Sequence, residues 1–198
     1  NPTAQVNPID PIVICEGLTD NEIVFTTINS GGDTIYDWEV LPGSDDIGLG
    51  SDGEGPIPIF NATAGTSSTQ ATIEVTPFFE GCEGPSETFT ITVNPTAQVN
   101  PIDPIVICEG LAVDEIVFTT ANTDGSTAFN WSNNNTATGL AEQGSTSTPS
   151  FIATAGSTPE VSNITVTPLY TNNGIECDGP SETFTITVNP TAQVNPID

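Results

Sequence analysis

Carboxylates, thiols and two phenols are the only titratable side chains in this sequence. The chain has 26 Asp and Glu and four Cys, and contains no Lys, Arg or His. Without His or Lys, no neighbouring base can activate a Ser or Cys nucleophile. Paired carboxylates could cleave a glycosidic bond, but the acids sit mostly in loops and differ between two otherwise matching halves. Asp45, Asp46, Asp52 and Glu54 crowd one loop, whereas the corresponding stretch of the second half has only Glu142. No pocket is specified, and the chain reads as a protein that is not an enzyme. The same loop, DDIGLGSDGEG, suits a hard cation better. Asp45, Asp46, Asp52 and Glu54 are candidate calcium ligands, with a solvated acidic loop as the alternative. The loop has neither the EF-hand spacing nor a repeated Gly-Gly-x-Gly-x-Asp pattern, and no other cofactor is implied.

The formal net charge of −26 narrows the partners. No cation is present to meet nucleic-acid phosphate or anionic lipid. No run approaches the ~18 apolar residues that a spanning helix requires, so direct membrane insertion is not expected. Salt bridges between side chains are impossible, so each carboxylate must be hydrated, bound to metal or bonded to N–H and O–H groups.

The cysteines lie at Cys15, Cys82, Cys108 and Cys177, two per half, with spacings of 67 and 69. An even number at repeated positions in a small domain reads as disulfides in an oxidising, extracellular location. Zinc is the competing reading, but the chain lacks C-x₂-C spacing and histidine.

The halves are tandem copies. Asn1 to Leu18 recurs from Asn94 to Leu111, and Gly84 to Asp103 recurs from Gly179 to Asp198. Copies thus begin at Asn1, Asn94 and Asn189, which predicts domains at 1–93 and 94–188 and the start of a third at 189–198. The expectation is an excerpt from a longer array. A period near 94 is too long for a solenoid unit and suits an autonomous domain. At the join, FTITVNPTAQVNPIDP has no Gly/Ser spacer, and Pro95, Pro101 and Pro104 favour extended, stiff backbone.

Within each copy the patterning is that of strands. Phe89 to Val93 and Phe184 to Val188 alternate with period two. Further strand runs are Glu22 to Thr27, Thr34 to Val40, Pro58 to Ala64 and Ala71 to Phe79. The second copy offers Glu115 to Thr120, Ala128 to Ser132, Ser150 to Ala155 and Val161 to Tyr170. Gly, Asn, Asp, Ser and Pro clusters separate them, and no segment has a helical period. The expected fold is all-β: tandem immunoglobulin-like sandwiches of about seven strands each, arranged end to end. Trp38 and Trp131 fall where such a sandwich needs a large core plug, with sugar stacking as the minor alternative.

Both copies carry motifs that point to a family. TIYDWEV and AFNWS resemble the aromatic-x-Trp strand of PKD-like domains, without the Gly-Asp-Gly that follows it in PKD domains proper. The strand-then-CEG entry, the loop cysteines in EGCEGPS and IECDGPS, and the closing FTITVNPT resemble the repeats of giant secreted adhesins of gliding bacteria, of the SprB type. That resemblance implies a stalk at the cell surface, possessing neighbouring repeats as partners, with the adhesion ligand bound elsewhere. A carbohydrate- or host-binding module and a self-assembling pilus or sheath subunit are the alternatives. Asp33-Thr34-Ile35 resembles the Asp-Thr-aliphatic O-glycan acceptor of that bacterial group, making Thr34 a candidate site. Asn-x-Ser/Thr at Asn61, Asn130, Asn134 and Asn163 is no more than the composition explains.

Two cysteine pairings are open. One joins Cys15 to Cys82 and Cys108 to Cys177 within the copies. The other follows from counting strands. With five antiparallel strands between them, Cys15 and Cys82 lie at opposite poles of one sandwich, too far apart for the ~7 Å Cα separation that a disulfide allows. Cys15 would then meet Cys177 across the junction, leaving Cys82 and Cys108 for further neighbours. The count depends on taking Ile47 to Leu49 as a strand.

Overall fold

The computed structural model describes residues 2–19 and 21–193; the third copy's residues 194–198 lie outside the described residues. Two compact units emerge. The first runs to Thr96 and takes in Thr123–Gly125 and Thr171–Cys177. The second comprises Ala97–Asn122, Ser126–Tyr170 and the chain from Asp178. No spacer separates Thr96 from Ala97.

In the first unit one sheet dominates. Its order is Ile12–Cys15, Glu87–Asn94, Thr69–Phe79, Thr34–Val40, Asp52–Glu54, with Cys82–Glu83 returning beside Thr69–Phe79. The longest strand of this sheet, TQATIEVTPFF, alternates buried and less buried residues from Ala71 to Phe79. β-Branched and aromatic residues at every second place make that pattern, because successive side chains point to opposite faces. Ile73, Val75, Ile91 and Val93 are fully enclosed. Against this face packs a thin second layer, containing Phe25, Ile47, Ile57 and Phe60. Phe25 sits 5.5 Å from Tyr36 and 6.4 Å from Phe89, ring centre to centre.

The second layer is where the structure departs from the sequence-based expectation. Glu22 to Thr27 makes a single bridge, Ile23 to Ile57, and Pro58 to Ala64 contributes only Asn61–Ala62, paired with Gly17–Leu18. Pro56 and Pro58 have no N–H to donate, so a longer ladder cannot form there. The second copy keeps Pro149 at the place of Pro58 but has Ser147 in place of Pro56, and Ile116–Val117 pairs with Ser147–Thr148. Ile47 to Leu49 is not a strand. Asp52–Glu54, taken from the sequence as loop, pairs with Asp37–Glu39 instead. It supplies the missing leg, so the five-strand count between Cys15 and Cys82 survives with a different member.

The second unit repeats the sheet, in the order Ile105–Cys108, Glu182–Asn189, Glu160–Asn172, Ser126–Asn133, Gln143–Ser145. Its core holds Phe118, Phe129, Trp131, Leu140, Ile164 and Ile186. One 3₁₀ turn, Thr136–Thr138, follows an Asn135 cap that accepts from Ala137 N. It is the sole helical segment among the described residues, and none is long and apolar enough to cross a membrane.

Burial of Tyr36 raises its phenol pKa above the usual value, partly offset by a hydrogen bond with Thr27. The folded state therefore holds the phenol proton more tightly than the unfolded chain. The resulting stability is fully present below the ordinary tyrosine pKa near 10 and is lost as pH rises through the folded value. We expect urea midpoints to fall above about pH 10. Tyr36→Phe should flatten that fall.

Candidate functional site: the Cys15 joint

Cys15 ends the strand Ile12–Cys15, which runs parallel to Glu87–Asn94 with Cys15 opposite Asn94. Cys82 lies across from Phe79, at the far end of a strand whose other end, Thr69, pairs with Val93. The ten steps from Thr69 to Phe79, at ~3.3 Å each, separate the two ends by roughly 33 Å, beyond the reach of any disulfide. Cys15 is bonded instead to Cys177, with Cα atoms 5.6 Å apart. Both cysteines belong to the first unit, because Thr171–Cys177 is part of it. Among the described residues Cys82 and Cys108 are free and exposed.

The bridge sits in a polar seat. Asn94 is fully buried and accepts from Ser68 Oγ at 2.9 Å. Its Nδ2 donates to the Asn172 carbonyl at 3.0 Å, and Asn172 Nδ2 donates to Ser68 Oγ at 2.8 Å. The three residues close a ring in which a buried amide has its polar atoms met, as burial demands. Thr123 N donates to the Thr66 carbonyl at 2.7 Å, fastening the other inserted segment.

Glu16 of the CEG motif shows what a carboxylate does without cations. Its Oε2 accepts from Thr96 N at 3.2 Å and Thr96 Oγ1 at 3.0 Å, tying the departing chain to the sheet. In the second copy Glu109 holds Thr191 in the same way, at 3.3 and 3.0 Å. Charge-assisted bonds of this kind are stronger than neutral ones. The Asn-Pro-Thr-Ala segments are anchored further on: Asn29 Oδ1 accepts from Gln5 N, and Asn122 Oδ1 from Gln98 N.

The proposed calcium loop is not assembled as a site. Asp45 Oδ2 accepts from Gln70 N, on the strand Thr69–Phe79, at 2.9 Å, and Asp46 Oδ1 from Gly48 N in its own loop at 2.9 Å. Asp52 and Glu54 lie on a strand, directly opposite Glu39 and Asp37. Among the described residues no group of three or more acidic, Cys or His side chains converges to hold a metal. Calcium titration after chelation should therefore give no saturable heat from this loop. A stoichiometric heat abolished by Asp45→Asn plus Asp52→Asn would restore the site.

Glu39 also faces Glu74 on its other side. Like charges in direct register oppose sheet formation, and nothing cationic is available to relieve them. Glu39→Gln should stabilise the chain by about 0.5 kcal/mol at low ionic strength. The gain in thermal melting should shrink at physiological salt, where the screening length is ~8 Å.

At the candidate glycan position, Thr34 Oγ1 is buried and has no hydrogen-bond partner among the described residues. Trp38 and Trp131 are 5% and 4% exposed, which makes them core and leaves no indole face for a sugar.

Comparison with known proteins places the second copy. A PKD-like domain model matches residues 105–192, and no curated protein matches the chain. Among solved structures, the two immunoglobulin domains IG1+IG2 of DIP-gamma align at 6% identity, over 97% of this chain and 99% of that one, with a TM-score of 0.47. The human mucin-like protocadherin EC1-2 aligns at 12% identity over 95% and 98%, with a TM-score of 0.40. Bacteroides ovatus SGBP-B from a mixed-linkage glucan utilization locus, in complex with a mixed-linkage heptasaccharide, aligns at 15% identity over 93% and 48%, with a TM-score of 0.33. Residues 105–192 are thus similar to a PKD-like domain, and the described residues around them form an all-β fold of layered sheets.

Proposed function

We propose that this chain is a stalk segment of a large secreted cell-surface adhesin. Its task is to carry tension along successive sandwiches to a binding part elsewhere, as the resemblance to gliding-bacterial adhesin repeats implies. The observation that carries the reading is the Cys15–Cys177 bridge, which ties the first copy's entry strand to a hairpin from the second copy, 162 residues on. A linker-free join at Thr96 and Ala97 and the Glu16 clasp on Thr96 serve the same end. The bridge supports a location outside the reducing cytoplasm, where disulfides persist. Work of this kind needs no cofactor. A sugar-binding module would want exposed aromatic faces, and both indoles are buried.

A stalk requires the copies to lie end to end. Small-angle scattering of the chain tests that requirement. A compact globule of 198 residues has a radius of gyration of about 16 Å. We expect a value well above this; one near 16 Å would overturn the reading.

A further inference from the structure

Two thiols and one cavity are unused by the joint just described, and they occupy its equivalent positions. Cys108 ends the strand Ile105–Cys108 opposite Asn189, just as Cys15 ends its strand opposite Asn94. Glu109 N donates to the Asn189 carbonyl and Glu16 N to the Asn94 carbonyl, both at 2.8 Å. Cys82 opens the return strand of its hairpin and lies on the same Cys-acid-Gly-Pro-Ser segment as Cys177. Beside Cys108, Glu109, Gly156, Ser157 and Thr191 line a cavity of about 600 Å³. Their first-copy counterparts are Glu16, Gly65, Thr66 and Thr96. In the first unit Thr66 receives Thr123, from a loop that includes Asp124 at φ 63°. The first copy's own version of that loop is Ser30–Gly32, and Gly31 adopts a matching φ of 85°. This loop adjoins the Cys82 hairpin, since Asp33 N donates to Glu80 Oε1 at 3.0 Å.

The hairpins differ in length, and the difference matches the seats. From Pro77 to Gly84 the first copy turns through Glu80-Gly81. From Pro168 to Gly179 the second has four more residues and turns through Asn173-Gly174. Those extra rungs carry Asn172, which bonds Ser68. At the position of Ser68 the second copy has Pro159, which has no hydroxyl, and the short hairpin has no counterpart of Asn172. The seat without Ser thus fits the hairpin without Asn.

We propose that Cys108 and the Ser157 cavity form a docking site for the Ser30–Gly32 loop and the Glu80–Cys82 hairpin of a second copy of this chain, closed by a Cys108–Cys82 disulfide. Long-hairpin and short-hairpin joints would alternate along an array. The inference rests on the stalk reading and names the partner of its open joint. Closure is an exchange with a disulfide oxidant such as oxidised glutathione. One thiolate displaces glutathione to give a mixed disulfide, and the second thiolate displaces the other glutathione. Two protein thiols and one oxidised glutathione become one protein disulfide and two reduced glutathiones.

The test uses two full-length variants, Cys108→Ser and Cys82→Ser, each retaining the Cys15–Cys177 bridge. They are mixed in equal amounts in a glutathione redox buffer and mapped by glutamyl cleavage and mass spectrometry. Random pairing yields the heterodimer at twice the level of either homodimer. We expect an excess of at least tenfold over each. Grafting the long tip (Thr171 to Glu176) in place of Glu80-Gly81 should cut that excess several-fold, and Pro159→Ser should recover it. A two-to-one ratio, or no covalent dimer, overturns the docking site. Either result leaves the stalk reading to the scattering test, because that reading stands on Cys15–Cys177.

Discussion

Held at its two ends and stretched, the oxidised chain should lengthen far less than the reduced one. The Cys15–Cys177 bridge encloses a sequence separation of 162 residues, which at ~3.4 Å per extended residue amounts to roughly 550 Å of hidden length. With the bridge closed, only the short stretches outside it can pay out, on the order of 120 Å. Reduction, or Cys15→Ser, should release the remainder as additional unfolding steps. Optical-tweezer traces read the difference directly. An oxidised chain that releases its full length would show that tension does not pass through the bridge.

The second large effect concerns the buried indoles. Trp131→Ala should cost about 3–5 kcal/mol, the range for removing a large aromatic from a core. The site cannot easily collapse, because Gly144 lies flat against the ring: a Cβ there would stand 2.7 Å from the indole. Trp38 packs on Gly53 in the same manner, yet the two differ in one polar atom. Trp131 Nε1 donates to the Ser147 carbonyl at 2.9 Å, whereas Trp38 Nε1 is buried with no partner among the described residues. An unmet buried donor costs stability. Replacement by Phe should therefore hurt at 131 and be much milder at 38, by a difference of about 1 kcal/mol or more. Chemical denaturation of the two variants checks the sign, and equal losses would contradict it.

These asymmetries explain how far the chain could be read in advance. The main sheet was legible because its strands bury alternate residues, and period two survives in FTITV and ATIEVTPFF. The repeat was legible because whole segments are copied. The thin second layer was not: Val24 and Ile59 sit on apolar runs yet are exposed, as Val117 is in the second copy, because alternate side chains of a layer point away from the core. By composition alone Asp52–Glu54 resembles a cation loop, because carboxylates dominate it. Its backbone role is set by Trp38, which needs Gly53 across from it. The pole argument about Cys15 relied on strand parity alone, so the wrong strand could be counted without changing its outcome. Thr34 looked like an acceptor by motif, and only packing reveals an enclosed hydroxyl. The seat of Asn94, Ser68 and Asn172 carried no local signal. Its members Ser68 and Asn172 lie 104 positions apart in the chain.

The parallel pairing of Ile12–Cys15 with Glu87–Asn94 has a mechanical meaning. These strands lead into and out of the first copy. A pull on the incoming chain and an opposite pull on the outgoing one would slide them along each other. Their hydrogen bonds would then be loaded in shear, all rungs at once, rather than peeled one by one as in a hairpin. The same pairing recurs between Glu182–Asn189 and Ile105–Cys108. With the disulfide closed, tension leaves at Cys15 and this ladder rests unloaded. Once the disulfide is reduced, the ladder takes the strain, so a severed covalent joint falls back on a non-covalent clamp instead of unravelling.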